Sequence, residues 1–353
     1  MSIMQEFLDL VSEKNHNMIY EVLATPLLIE SALSSKIEVE LPKSDRIIFA
    51  GIGTSGLTGE FMKTYFTNIG SEATIEVYRA PKVPKRKDAL YVTFSYSGTT
   101  LEILNAIRDL REHGYKPIVV SKGGYLEKYA TKHNLPFIKM KIPVIENVTK
   151  LETRSHLPFG ITFFAKIFAK ILGFENRVAS ELKEALNEIK KSIEYYSKHK
   201  EEVTLMAKKL AQAGRLAIIA DYATIPVARR FRNQLGENSK RIAQWDYFPE
   251  MGHNLLCSLI EEKEGLLLFI FRRKSANDIV KKYYEVIDAS FSSEQIINVN
   301  VNDEKYSWRT LMEPIFIGDL LSIIIADILN REAKPIKQVD IVKTKMKEAV
   351  PLP

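Results

Sequence analysis

Eight consecutive residues, Thr93 to Thr100, read TFSYSGTT and hold five Ser or Thr residues and one glycine. Ser and Thr hydroxyls donate hydrogen bonds to phosphate oxygens, and glycine lets backbone N–H groups come close to an anion. The run stands between an apolar lead-in, ALYV, and LEILNAIRDLREHG, whose apolar residues recur at helical spacing. It therefore marks a strand-to-helix turn, where unpaired N–H groups and a partial positive charge favour an anion. GIGTSG, residues 51–56, is a second turn of the same kind. Helix capping would account for Ser97 or Thr100 taken singly. Two hydroxyl and glycine turns in one α/β unit point instead to a shared phosphate. Gly51, Gly53 and Gly56 meet the G-x-G-x-x-G spacing, but ATIEVYRA ends in Tyr78, Arg79 and Ala80 with no acidic residue for a ribose. No Lys follows the last glycine, so a Walker loop is not completed either.

The elements that must position these turns alternate along the chain. RIIFAGIG, ATIEVYRA, ALYVTFSYS, KPIVVSKGG and FIKMKI read as strands with helical patterns between them, which predicts a parallel sheet covered on both faces. From LPFGITFFAKIFAKIL to about residue 210 the pattern is helical, with Gly173 as a break. Alternation then resumes through GRLAIIADY, the helix PVARRFRNQLGENSK, KRIAQWDYF, GLLLFIFRR, DIVKKYYEVID and EQIINVNV. A buried helix, MEPIFIGDLLSIIIADILN, and an amphipathic one, PIKQVDIVKTKMKEAV, end the chain. The expected organisation is an N-terminal helical segment (1–40), a first α/β subdomain with connecting helices (41–205), a second (206–332), and a C-terminal helix and tail (333–353).

Composition narrows the function classes. The net charge of +6, from 50 basic and 44 acidic residues, is spread in mixed-sign runs such as KEALNEIKKSIEYYSKHKEE. Such runs are solvated helix faces and not a nucleic-acid patch, so no nucleic-acid partner is expected. A mild positive excess suits a small anionic substrate. Cys257 is the single cysteine, which excludes an internal disulfide and a thiolate zinc cluster and fits a reducing, cytoplasmic setting. MSIMQEFLDLVSEK carries acidic residues where a signal peptide needs an apolar core, and Asp319 and Asp327 interrupt the most apolar late stretch. No membrane association is expected.

With the two turns in place, three further stretches complete a resemblance: LETRSHLPFG, NQLGENSK and FPEMGHN. GIGTSG with SYSGTT resembles the phosphate-binding pair of the sugar-isomerase (SIS) fold. The ordered set, from about residue 45 to the C-terminal helix, is similar to the bifunctional phosphoglucose/phosphomannose isomerases of the phosphoglucose isomerase superfamily. The resemblance implies two tandem SIS-type subdomains and a homodimer with active sites at the subunit boundary. It places phosphate binding on Gly53, Ser55, Ser95, Ser97 and Thr100. It assigns the enediolate-facing arginine to Arg154, the catalytic base to Glu237 in GEN, the ring-opening histidine to His253 in GHN, and an active-site lysine to Lys343, or to Lys345 one register on. The chain departs from the family pattern with Gly for Asn at 236 and 252, Leu255 for an acidic residue, and Lys334-Pro335 for Thr-Pro.

Aldose–ketose isomerisation needs what these residue types supply. Histidine exchanges protons with a ring oxygen near neutral pH. One carboxylate can carry a proton between carbon 2 and carbon 1 across a cis-enediolate, whose charge a fixed guanidinium stabilises. No metal or redox cofactor is required. The expected activity is interconversion of glucose 6-phosphate and fructose 6-phosphate, extending to mannose 6-phosphate. Another sugar-phosphate isomerase on this fold, or a sugar-phosphate-binding regulator without activity, is the alternative. His156, close behind Arg154, is the rival histidine.

Overall fold

The structure is a computed structural model describing residues 2–301 and 303–349, with nothing said of the side chains of 347 and 349; residues 350–353 of the expected C-terminal tail lie outside it. In chain order, α1 (Ile3–Leu8), α2 (Glu13–Leu23) and α3 (Thr25–Ser34) precede β1 (Arg46–Gly51), α4 (Thr54–Asn68), β2 (Thr74–Tyr78) and β3 (Leu90–Phe94). Next come α5 (Leu101–Glu112), β4 (Ile118–Ser121), α6 (Gly124–Lys132) and β5 (Phe137–Lys139). Three helices follow: α7 (Leu157–Leu172), α8 (Glu175–Lys198) and α9 (Lys200–Gln212). The second series is β6 (Arg215–Asp221), α10 (Ile225–Gln234), β7 (Gln244–Phe248), α11 (Leu255–Glu261), β8 (Leu266–Arg273), α12 (Asp278–Ser290) and β9 (Ile296–Val301). It closes with α13 (Trp308–Ile328) and α14 (Lys337–Ala349).

Among the described residues the backbone clusters into two compact units, one of residues 25–182 with 336–349 and one of 2–24 with 183–301 and 303–335. The first holds a five-stranded sheet in the order β2-β1-β3-β4-β5, and every pairing in it is parallel. β1 and β3 run side by side in register, Ala50 opposite Thr93 and Gly51 opposite Phe94. Their carboxyl ends, which carry GIGTSG and SYSGTT, therefore open side by side. Ligands sit beyond strand ends in such sheets. One face is filled by Ile48, Val92's neighbour Tyr91, Leu104, Ile107 and Leu110, so α5 rests directly on the strands that bear the turns. On the other face Phe49 meets Phe164 and Phe168 of α7 edge-on or tilted, at 5.2 and 6.2 Å. α7 is apolar nearly all round and correspondingly buried. Lys166 is one exception: the ammonium donates to the carbonyls of Ala32, Leu33 and Ser35 and so satisfies the end of α3.

The second unit holds a parallel four-stranded sheet, β7-β6-β8-β9. α10 and α9 pack on α13, whose length is buried among them. Asn15 of α2 reaches the same assembly, donating to Asp327 at 2.9 Å. Among the described residues no helix is long and apolar enough to cross a membrane.

Candidate active site

The cradle in the first unit is built from three turns, two of them expected. In GIGTSG, Gly53 adopts φ +60°, and a Cβ on Gly56 would lie 2.4 Å from the Gly51 carbonyl oxygen. Only glycines allow that close approach. Ser55 Oγ accepts the Tyr96 backbone N–H at 3.2 Å, which ties the first turn to SYSGTT. Thr100 occupies the N-cap position of α5, yet its hydroxyl makes no capping bond and pairs instead with Ser95 Oγ at 2.8 Å. Simple capping therefore does not explain Thr100. Ser97 Oγ lies 2.9 Å from Thr99 Oγ1 and accepts the Thr99 N–H. Ser55 and Ser95 are buried and Ser97 and Thr100 half-buried, so the hydroxyls grade from floor to mouth.

The third turn, Ser121 to Gly124, was read from the sequence only as a strand end. Ser121 Oγ donates to Gly123 O and accepts the Gly123 N–H, and the Leu126 N–H donates to Gly98 O at 3.0 Å. Gly98 has φ +66°, and a Cβ there would fall 1.7 Å from Gly123 O. The paired glycines of SKGG were the available signal. Gly98→Ala is expected to cost about 1–3 kcal/mol from backbone strain alone, with the overlap adding to it. Chemical denaturation checks this, and parental stability would contradict the loop contact.

Arg154 lies in the turn before α7, its side chain wholly enclosed, with Glu152 at 3.4 Å. A buried guanidinium with its own carboxylate is held in place rather than free to seek solvent. His156 is also buried; its ring stacks on Tyr96 at 4.2 Å and 3° and takes the edge of Phe94 at 5.6 Å. Packed so, it braces the loop between Ser95 and Ser97. Lys343 and Lys345 are exposed on α14, with no hydrogen bond or ion pair among the described residues, while Met346 packs on the first core.

The remaining two candidates belong to the second unit. Glu237 does not continue α10 as expected but stands on a π turn, Leu235–Ser239. Such turns are rare and frequent at functional sites. Its cause is tertiary. Asn238 donates its amide to Ser322 Oγ of α13 at 2.8 Å, and Ser239 Oγ bonds Leu235 O. Lys240 at φ +53° ends the turn, and Arg331 donates to Ser239 O at 2.7 Å. Arg230, one α10 face behind, forms a buried two-bond pair with Asp319 at 2.8 and 2.7 Å. Glu237 itself is half-exposed and borders a cavity of about 260 Å³ with Arg232, Asn233, Gly236 and Arg241. Gly236 leaves this space open: a Cβ there would meet nothing within 4 Å.

His253 is exposed at the end of a 3₁₀ turn, Glu250–His253, and Asn254 then caps α11 through the Leu255 N–H. A Cβ on Gly252 would lie 2.2 Å from the Tyr283 ring, so this chain fills with tyrosine the room an asparagine would need. No hydrogen bond joins Glu237 to His253 among the described residues. Where the first sheet's strand ends carry hydroxyls, the second's carry an internal ion cluster. Arg273 donates to Asp221 at 3.1 Å and to Asp303 at 2.9 Å, and burial pushes the Asp221 carboxyl up against the pull of Arg273.

Comparison with known proteins follows the same division. Residues 40–146 match the SIS domain family model, and residues 199–346 match that of the bacterial phospho-glucose isomerase C-terminal SIS domain. A bifunctional phosphoglucose/phosphomannose isomerase of Caldicellulosiruptor bescii is 26% identical over 325 residues, 88% of this chain and 92% of the relative. A D-glucosamine-6-phosphate 4-epimerase of Sulfolobus acidocaldarius is 27% identical over 226 residues, 64% of this chain and 67% of the relative. Tagatose-6-phosphate ketose/aldose isomerase from Escherichia coli superposes with a TM-score of 0.61 at 13% identity, covering 89% of this chain and 92% of that one, a likeness of fold. Two SIS-type halves, the paired hydroxyl turns and near full-length relatives of one kind make the chain similar, along most of its length, to the bifunctional phosphoglucose/phosphomannose isomerases.

Proposed function

We propose that the protein is an aldose–ketose isomerase that interconverts glucose 6-phosphate and fructose 6-phosphate through a cis-enediolate, and accepts mannose 6-phosphate. The direct bond that joins Ser55 to the SYSGTT loop carries this reading, because it brings the hydroxyls of the two turns together. In the reaction, Ser55, Ser95, Ser97 and Thr100 hold the phosphate, with Gly53 opening the backbone to it. His253 moves a proton at the ring oxygen and Glu237 moves the carbon-bound proton. Arg154 stabilises the enediolate oxygen, and Lys343 completes the active-site set that the family pattern implies.

The finer setting is a cytoplasmic homodimer acting in glycolysis and gluconeogenesis. Ile242, 94% exposed beside the Glu237 cavity, supports a second subunit closing over that face; a sedimenting mass of one chain would refute it. A SIS-fold enzyme acting on another sugar phosphate is the second reading, favoured by the Sulfolobus relative named as a glucosamine-6-phosphate epimerase. The test is incubation with fructose 6-phosphate in the presence of EDTA, followed by separation of the hexose phosphates. Glucose 6-phosphate and mannose 6-phosphate are expected. Neither product, or a reaction restored only by added zinc, would refute the mechanism.

A further inference from the structure

We propose that Lys122 supplies the positive charge that the hydroxyl cradle lacks and binds the substrate's phosphate group at the cradle's edge. This deepens the phosphate reading of the first unit and rests on it. Hydroxyls and backbone N–H groups orient a phosphate, but a phosphate monoester carries about −1.5 to −2 near neutral pH and is bound best by donors that are themselves charged. Ser55, Ser95, Ser97 and Thr100 bring no charge. The third turn does.

Its backbone lies directly against the cradle. The Lys122 N–H donates to Tyr96 O at 3.1 Å, and Gly123 O fills the place of a Gly98 Cβ. The Lys122 ammonium sits 4.8 Å from the centre of the Tyr96 ring, which is itself stacked on His156. Tyr96 stands between Ser95 and Ser97, so the ammonium of the exposed Lys122 lies over the ring of the residue that separates the two hydroxyls. A ring face holds a cation without neutralising it. Other lysines of this unit have found carboxylates, Lys85 with Asp109 at 2.5 Å and Lys139 with Glu127 at 2.8 Å. Among the described residues neither Lys122 nor Lys150 has an ion pair. Desolvation, and then repulsion from Lys150, hold the Lys122 ammonium below the ordinary lysine range. An anion beside the Lys122 ammonium would relieve that repulsion.

The test is binding of inorganic phosphate to the full chain by calorimetry, alongside steady-state kinetics. Lys122→Met is expected to weaken phosphate binding about tenfold, the equivalent of one charge-assisted bond. KM for fructose 6-phosphate should rise by a similar factor at retained kcat, and both quantities should lose part of their salt dependence. Lys122→Arg should restore most of the affinity. Unchanged phosphate affinity in a Lys122→Met protein of parental melting temperature overturns the proposal, as does a parent that binds no phosphate. If Lys122→Met does not fold, Lys122→Gln decides: weakened binding supports the proposal and unchanged binding overturns it. Phosphate binding that depends on Lys122, in a protein that isomerises no hexose phosphate, upholds the inference and removes the isomerase reading instead.

Discussion

Glu237→Gln is expected to abolish both isomerisation and exchange of the carbon-bound proton with deuterated water, a loss on the order of 10² to 10⁴. The amide keeps the size of the side chain and part of its hydrogen bonding but cannot accept that proton. The position suits such a test. The π turn beneath it is fixed by Asn238 on Ser322 and by Ser239 on Leu235, while Glu237 itself is half-exposed. The substitution therefore leaves the turn's own bonds in place, and binding should be largely retained. His253→Ala separates the second task. It should cripple turnover of the cyclic sugar yet spare exchange in the open-chain part of the substrate pool. Equal loss of exchange in both variants would mean that the division of labour is wrong. Full activity in Glu237→Gln would sink the isomerase mechanism altogether.

Replacing Ser97 and Thr100 together by Ala should raise KM for sugar phosphates by on the order of 10²-fold or more, since charge-assisted bonds of about 1.5–3 kcal/mol each are at stake. Free glucose should be a poor substrate for the parent. The structure adds a control. Thr100 is bonded to Ser95, and Ser97 to Thr99, so the double variant also loses two contacts within the loop. A role confined to the loop's own stability would lower the unfolding midpoint and leave KM alone. A role in phosphate binding moves KM at saturating stability. An unchanged KM would remove the cradle from the mechanism.

Much of this was readable from residue order because the forces concerned are local. Apolar strands alternating with helical repeats can bury both faces of a sheet only as parallel α/β layers, and both sheets are wholly parallel. The hydroxyl and glycine turns were likewise legible, because a positive φ at Gly53 and Gly98 and a strand-to-helix change are written in residue type. The family motifs nominated Arg154, Glu237 and His253 by position.

What the sequence left open was set by contacts between segments far apart in the chain. Periodicity ran α10 on through GENSK, since a π turn has no pattern of its own; Ser322 and Arg331, some 84 to 92 positions away, hold it. Capping would have accounted for Thr100 taken singly, and only the fold shows its hydroxyl on Ser95 instead. Residue order said nothing of Lys122, and only the fold brings its ammonium over the Tyr96 ring that stacks on His156. Residue order also left unsaid that α1 and α2 cluster with β6 to β9, while α14 clusters with the first sheet. Residue types and their order thus determined the layered α/β fold, the hydroxyl and glycine turns and the resemblance to the isomerases. The tertiary structure alone decided how each polar side chain is used, because a hydroxyl or an ammonium can take many partners and burial leaves it only those that distant segments bring within reach.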